Sequence, residues 1–334
     1  MSIWKKAGRK ASRFAYEKKL ATGKKSPQNL KQAGIAAYKC GDYTLAKTRL
    51  DEAVEAGGDD ANLWKTRALL YEELRKRALY DTLKFKYILS LALDAYTAIE
   101  KSLQFIENVT KPDFLLRSGK ACEAVGKWQQ AIVCYSNIFI NFPQYSRSNT
   151  VAVRAACIMA QNGDVSKAIG YIEMVLQSPP SDYIEVDIIF MLGRLYELSG
   201  RRQEANDSYR EVYRQYENII NIENKNKQTH LPKRKKINLT NWKSWYRHPI
   251  IWYEWGKRLA SLDCPILAAD AISEAIKRGL VQALGTNDTN PYILLAQMAI
   301  WNSNTLTAIS SLEAGLSHFQ YDLRLRKVLV DLKE

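Results

Sequence analysis

The chain has 334 residues, 46% hydrophobic and 25% charged, with a net charge of +14. That balance excludes a disordered polyelectrolyte, and sixteen glycines and nine prolines are too few for an all-β chain with a turn every ten residues or so. The most apolar run, residues 87–93, falls far short of the roughly 20 residues a membrane helix needs.

Residues 1–26 carry nine Lys/Arg against Glu17 alone. Ile3, Trp4, Ala7, Ala11 and Phe14 recur at helical spacing beside Lys5, Lys6, Arg9, Lys10 and Arg13, which predicts a basic amphipathic helix. Such a helix suits docking on an acidic protein, nucleic acid or a membrane surface. A mitochondrial presequence has the same composition, and a third reading packs Trp4 and Phe14 on the first repeat. No apolar segment follows the basic residues, so no secretory signal is expected. Deletion of residues 1–25 is expected to leave the fold intact and to weaken recruitment to a parent assembly.

A motif then recurs along the chain. Gly41-Asp42-Tyr43 leads to Ala46, Gly126-Lys127-Trp128 to Ala131, Gly163-Asp164-Val165 to Ala168, and Gly200-Arg201-Arg202 to Ala205. Seven residues ahead of each stands a small residue: Gly34, Gly119, Ala156 and Gly193. Two small residues twelve apart let the backbones of consecutive helices approach closely, while larger residues fill the gap to the next pair.

This pattern resembles the tetratricopeptide repeat, a 34-residue unit of two antiparallel helices, A and B. The resemblance implies an all-α solenoid, a right-handed superhelix of stacked helix pairs. Seven units align, starting at Pro27, Ala61, Pro112 and near Asn149, Val186, Pro249 and Thr289. The sixth is one residue out of step, with Ala269 at the small-residue site although Ala268 is twelve beyond Gly256. Units one to five occupy 27–216, with a helical insertion at about 75–108, and units six and seven occupy 249–322. Between them, 217–248 is a basic, Trp-rich insertion. Residues 323–334 form a capping helix with Asp322 at its N-cap and Leu325, Val328, Leu329 and Leu332 on one face.

Catalytic and metal-binding constellations are not expected. His230, His248 and His318 are far apart and share no ligand spacing with Cys or with each other. No cofactor is implied. The five cysteines (Cys40, Cys122, Cys134, Cys157, Cys264) are odd in number and lack a C-x-x-C pair, which predicts buried free thiols in a reducing, intracellular compartment.

Function is therefore expected on surfaces. In tetratricopeptide-repeat proteins the A helices line a concave groove, and here the inward positions carry Lys31, Lys65, Arg117, Lys120, Arg154, Arg194 and Lys257. Such a run suits an extended acidic peptide, unless the charges are solvated and partly neutralised by Glu72, Glu123, Glu197 and Glu254. The clamp by which some relatives grip chaperone tails is incomplete: Lys31 fits, but Ile35 and Thr66 replace two asparagines. In the insertion, Lys233, Arg234, Lys235 and Lys236 resemble a nuclear-import tract. Trp242, Trp245 and Tyr246 have no duty in the repeat and read as docking aromatics, whereas Trp252 and Trp255 fall on core positions. The resemblance implies a non-enzymatic scaffold of a multi-subunit intracellular assembly. Its basic segments would meet acidic proteins, such as microtubule tails in the cytoskeleton or a cilium. The alternative is an RNA-associated protein of a ribonucleoprotein particle.

Overall fold

The computed structural model describes residues 3–23, 25–81, 84–103, 111–177, 185–226, 242–262, 264–284 and 289–333. Every regular element among them is a helix. The chain divides into two compact units, Met1–Val125 and Gly126–Glu334.

In the first unit, helix α1 (Ile3–Ala21) precedes α2 (Pro27–Cys40), α3 (Tyr43–Glu55), α4 (Ala61–Asp81), α5 (Phe85–Leu103) and α6 (Pro112–Ala124). Ser26 opens α2 by accepting the Asn29 N–H, with Pro27 in the first turn where no donor is needed. Gly41, at φ 80°, ends it in the left-handed conformation. Asp42 immediately caps α3 by accepting the Leu45 N–H at 3.1 Å. Two adjacent residues thus close one helix and open its antiparallel partner, which is the physical content of the Gly-Asp motif. Where the partners meet, a Cβ on Gly34 would lie 2.6 Å from Leu50 Cγ, so the site must be bare. Leu20, Leu30, Ala33, Ala37, Ala46, Leu50, Ala53, Leu63 and Leu70 form one buried cluster. The next pair is longer: α4 has 21 residues and α5 has 19. These two pack on each other, and Phe85, Ile88 and Leu91 of α5 are fully buried.

The second unit contains α7 (Trp128–Asn141), α8 (Ser148–Gln161), α9 (Val165–Leu176), α10 (Glu185–Leu198), α11 (Arg202–Asn226) and α12 (Trp242–Arg247). It continues with α13 (Pro249–Ser261), α14 (Pro265–Lys277), α15 (Leu280–Leu284), α16 (Asn290–Trp301), α17 (Thr305–His318) and α18 (Leu323–Lys333). The pairs α8/α9, α10/α11, α13/α14 and α16/α17 repeat the construction. A Cβ on Gly193 would lie 3.1 Å from the Tyr209 ring, and one on Gly256 would lie 2.5 Å from Ile272 Cγ1. Each of these three sites meets the residue sixteen positions on, with Ser208 also 3.0 Å from the Gly193 site, which fixes the register. The sixth pair is accordingly in step. Ala268 is fully buried with its carbonyl against the Gly256 site, while Ala269 is only half-buried, so Ala268 replaces Ala269 as the small residue.

The second unit folds back on itself. Helix α14 packs on α8 as well as on α13 and α16. Val151–Met159 of α8 and Val186–Gly193 of α10 are buried at every position. A Cβ on Gly126, ahead of α7, would come 4.0 Å from Cβ of Ser303, in the turn between α16 and α17. Helix α18 closes the unit, with Leu325, Val328 and Leu332 buried. Asp322 Oδ1 accepts the N–H groups of Arg324 and Leu325 at 2.8 and 3.0 Å. Leu329 is half-buried.

Candidate interaction surfaces

Side-chain packing separates the predicted groove cations into two sets. In the first unit, Lys31 is buried and its Nζ sits 2.7 Å from Asp60. Burial pushes the Asp60 carboxyl up, but Lys31 and the Leu63 N–H outweigh it and hold the group below its ordinary range. Lys120 lies 4.0 Å from Glu72. Lys65 is exposed and Arg117 half-buried, and neither has a carboxylate partner among the described residues. Burial, then Tyr43, Glu73 and Glu72, push the Tyr38 hydroxyl upward, and Arg117 opposes them only weakly.

In the second unit the open groove is overturned. Arg154 is buried with its guanidinium 6.0 Å from the Tyr135 ring centroid. Arg194 donates two bonds to Asp270 of α14, at 2.6 and 2.9 Å, and one to Glu197 at 2.8 Å. Asp187, buried in α10, takes Arg258 at 2.9 Å. On this side α14 packs against α8, and its Asp270 takes Arg194 of α10. Arg154 and Arg194 are therefore interior groups. Lys257 is exposed but lies 2.6 Å from Glu254.

The docking aromatics of the insertion are also reassigned. Residues 242–247 are helical, and Trp245 is fully buried with its ring edge-on to Tyr213. Tyr246 stacks on Tyr209 at 4.2 Å and donates its hydroxyl to Glu197 at 2.5 Å. Its carbonyl accepts Trp252 Nε1 at 2.7 Å and Arg278 Nη1 at 3.0 Å. Burial pushes Glu197 up, but hydrogen bonds from Tyr246, Arg194 and Tyr209 prevail and hold it low. Tyr246 is pushed up to about 12, first by burial and then by Glu197. This network staples α12 to α10, α11 and α13, so Trp245 and Tyr246 have a structural duty after all. Trp242 remains half-buried, its ring 5.2 Å from Arg210 and 5.8 Å from Lys243. Lys233, Arg234, Lys235 and Lys236 lie outside the described residues.

Helix α1 packs on the first repeat, but not through Phe14. Arg13 bonds Asp42 at 2.9 Å, and Glu17 takes two bonds from Arg49 at 2.6 and 3.0 Å. Leu20 is buried in the first core. The other side presents Lys10, Ala11, Phe14, Ala15 and Lys18, with Phe14 73% exposed. The reason is electrostatic and steric: Arg13, Tyr16, Glu17 and Leu20 find partners on α2, α3 and the N-cap between them, whereas Phe14 meets none among the described residues. The side chains of Trp4, Lys5, Lys6 and Arg9 lie outside the described residues. Because Leu20 and Glu17 belong to the fold, deletion of residues 1–25 would damage the first unit, contrary to the expectation from sequence.

Among the described residues no three His, Cys, Asp or Glu side chains gather as a metal site, and no helix is long and apolar enough to cross a membrane. Cys122, Cys157 and Cys264 are buried, but Cys40 and Cys134 are only half-buried, so not all five thiols are core groups.

The family profile described as "Tetratricopeptide repeat" matches residues 187–218, which is α10 and most of α11. No curated protein sequence matches the chain. Among solved structures, the MamA protein is similar at 16% identity over 62% of this chain and 98% of its own, with a TM-score of 0.47. A tetratricopeptide repeat protein from Parabacteroides merdae is 11% identical over 92% and 99%, at 0.44. The Cut9-Hcn1 hetero-tetramer of APC/C gives 14% over 96% of this chain and 52% of that one, at 0.38. Superpositions this loose locate no binding site.

Proposed function

We propose that this tetratricopeptide-repeat protein is a non-enzymatic scaffold, a subunit of a larger intracellular assembly that is recruited through its basic segments. The observation that carries the reading is α1, packed on α2 and tied to α3 and its N-cap by Glu17–Arg49 and Arg13–Asp42 while Lys10, Phe14 and Lys18 face outward. Neither lysine has a carboxylate partner among the described residues. A helix that commits its ion pairs to its own fold and leaves cations around an exposed aromatic suits a carboxylate-rich surface. Lys65 and Arg117 extend the same charge preference to the inner face of the first unit. Residues 227–241, with Lys233–Lys236, supply the second basic segment.

The acidic tails of microtubules, in the cytoskeleton or a cilium, supply such a surface, and the cytoplasm is the corresponding compartment. The test is co-sedimentation with microtubules before and after proteolytic removal of their acidic tails. Wild-type protein is expected to pellet with intact microtubules only, and Lys10→Glu/Lys18→Glu to lose at least about tenfold in affinity with an unchanged melting temperature. Equal binding to tailless microtubules removes the microtubule assignment. Co-purifying partners that disappear after ribonuclease treatment put the ribonucleoprotein reading in its place.

A further inference from the structure

Helix α18 packs on α17 and leaves aliphatic side chains on its outward face. Terminal elements of repeat arrays turn a polar face to solvent, and α18 turns out Leu323 and Val330, 78% and 51% exposed. At 100° per residue these two lie on one side of the helix, seven positions apart, with Lys327 between them and Arg326 and Lys333 along one edge. The opposite side, Leu325, Val328 and Leu332, is the one buried against α17. Tyr321, just ahead of the helix, is 86% exposed. Helix α18 thus covers α17 as an A helix covers the B helix before it, and its own outward face is apolar at both ends and basic in the middle.

The charges decide what fits there. Arg324 is engaged by Thr289 and Asp322, and Lys333 by Glu313 at 2.7 Å. Arg326 reaches only the Gln320 carbonyl oxygen, at 2.5 Å, and Lys327 has no partner among the described residues. Asp331 stands at the flank and is half-buried. A second copy is a poor occupant. Two-fold antiparallel pairing sets Leu323 against Val330, which is favourable, but drives Lys327 and Arg326 of one copy onto those of the other at the dyad. An anionic membrane would receive only two separated aliphatic side chains.

We propose that the outward face of α18 docks an acidic amphipathic helix of a partner protein. The incoming helix would lie antiparallel to α18 in the position of a B helix, with apolar residues seven apart on Leu323 and Val330. Its intervening carboxylates would bond Arg326 and Lys327. The inference rests on the scaffold reading, but it uses a surface that the α1 variants leave untouched.

The test uses the full chain and two labelled helical peptides of about 18 residues, with one leucine pattern repeating every seven positions. One peptide carries Glu at the intervening outward positions and the other Lys. Fluorescence anisotropy is expected to show saturable binding of the acidic peptide and at least tenfold weaker binding of the basic one. The Arg326→Glu/Lys327→Glu variant is expected to reverse that preference with an unchanged melting temperature, and Leu323→Ser/Val330→Ser to weaken both peptides. The proposal is overturned if the acidic peptide fails to saturate, or if it binds the charge-reversed variant as tightly as wild type. It is equally overturned if sedimentation shows a wild-type dimer that Val330→Ser dissociates. None of these results bears on recruitment by α1, which is read separately with the Lys10 and Lys18 variants.

Discussion

Glycine at the crossing points of the helix pairs is a distance constraint, and its substitution separates positions that look alike in sequence. Gly256→Ala places a methyl 2.5 Å from Ile272 Cγ1, and overpacking of this kind costs about 1–3 kcal/mol. Gly170 lies inside α9 with nothing within 4 Å of its Cβ position, so Gly170→Ala should stabilise by up to about 1 kcal/mol through helix propensity. Thermal melts of the two variants should move in opposite directions. A second residue-scale prediction concerns His248, whose Nδ1 accepts the Ile250 N–H at 3.3 Å at the start of α13. Burial lowers its pKa, so the folded state favours the neutral ring. Its stabilising contribution is complete above the unfolded value of about 6.5 and is lost as pH falls below it toward the folded pKa. His248→Asn, which keeps a capping acceptor, should flatten the melting temperature between about pH 6.5 and 5.

At the scale of whole helices, what could be read from sequence depended on how local the cause was. Gly34, Gly193 and Gly256 were legible because each reports a contact made sixteen residues along the chain, within one hairpin. The stripe of α1 was legible as a period but not as a direction. Which side faced inward was set by Asp42 and Arg49 on other helices, and no periodicity in residues 3–21 encodes that. Helix α12 was missed because it belongs to no repeat. Its burial follows from the Tyr246–Glu197–Arg194 network, which joins residues 49 positions apart. The consequence is measurable. Trp245→Ala removes a fully buried indole and should destabilise by about 3–5 kcal/mol. Lys243→Glu, on the exposed side of the same short helix, should leave the denaturation midpoint within about 0.5 kcal/mol of wild type.

For the molecule as a whole, the +14 charge is concentrated in residues 1–26 and 221–247, and the rest of the sequence is close to neutral. Attraction to an acidic partner should therefore fall steeply between about 0.05 and 0.2 M salt, where the screening length shrinks toward 8 Å. The unfolding midpoint, set by buried helix pairs, should change little over the same range, and binding and melting curves taken in parallel check both halves. The groove was the least legible feature, because the filling of α8 and α10 depends on how the later pairs curl. That curl is a sum over many residues and has no signature at any one of them. It also carries a mechanical corollary. An array that touches only its nearest neighbours stretches like a spring, each pair yielding a little. Here α14 packs on α8, two pairs back, and the Gly126 site ahead of α7 meets Ser303 between α16 and α17, as struts across the coil. Under tension applied at residues 126 and 333, this unit should resist almost without extension until the struts part, then lengthen abruptly. It would transmit load along an assembly where an open solenoid would absorb it.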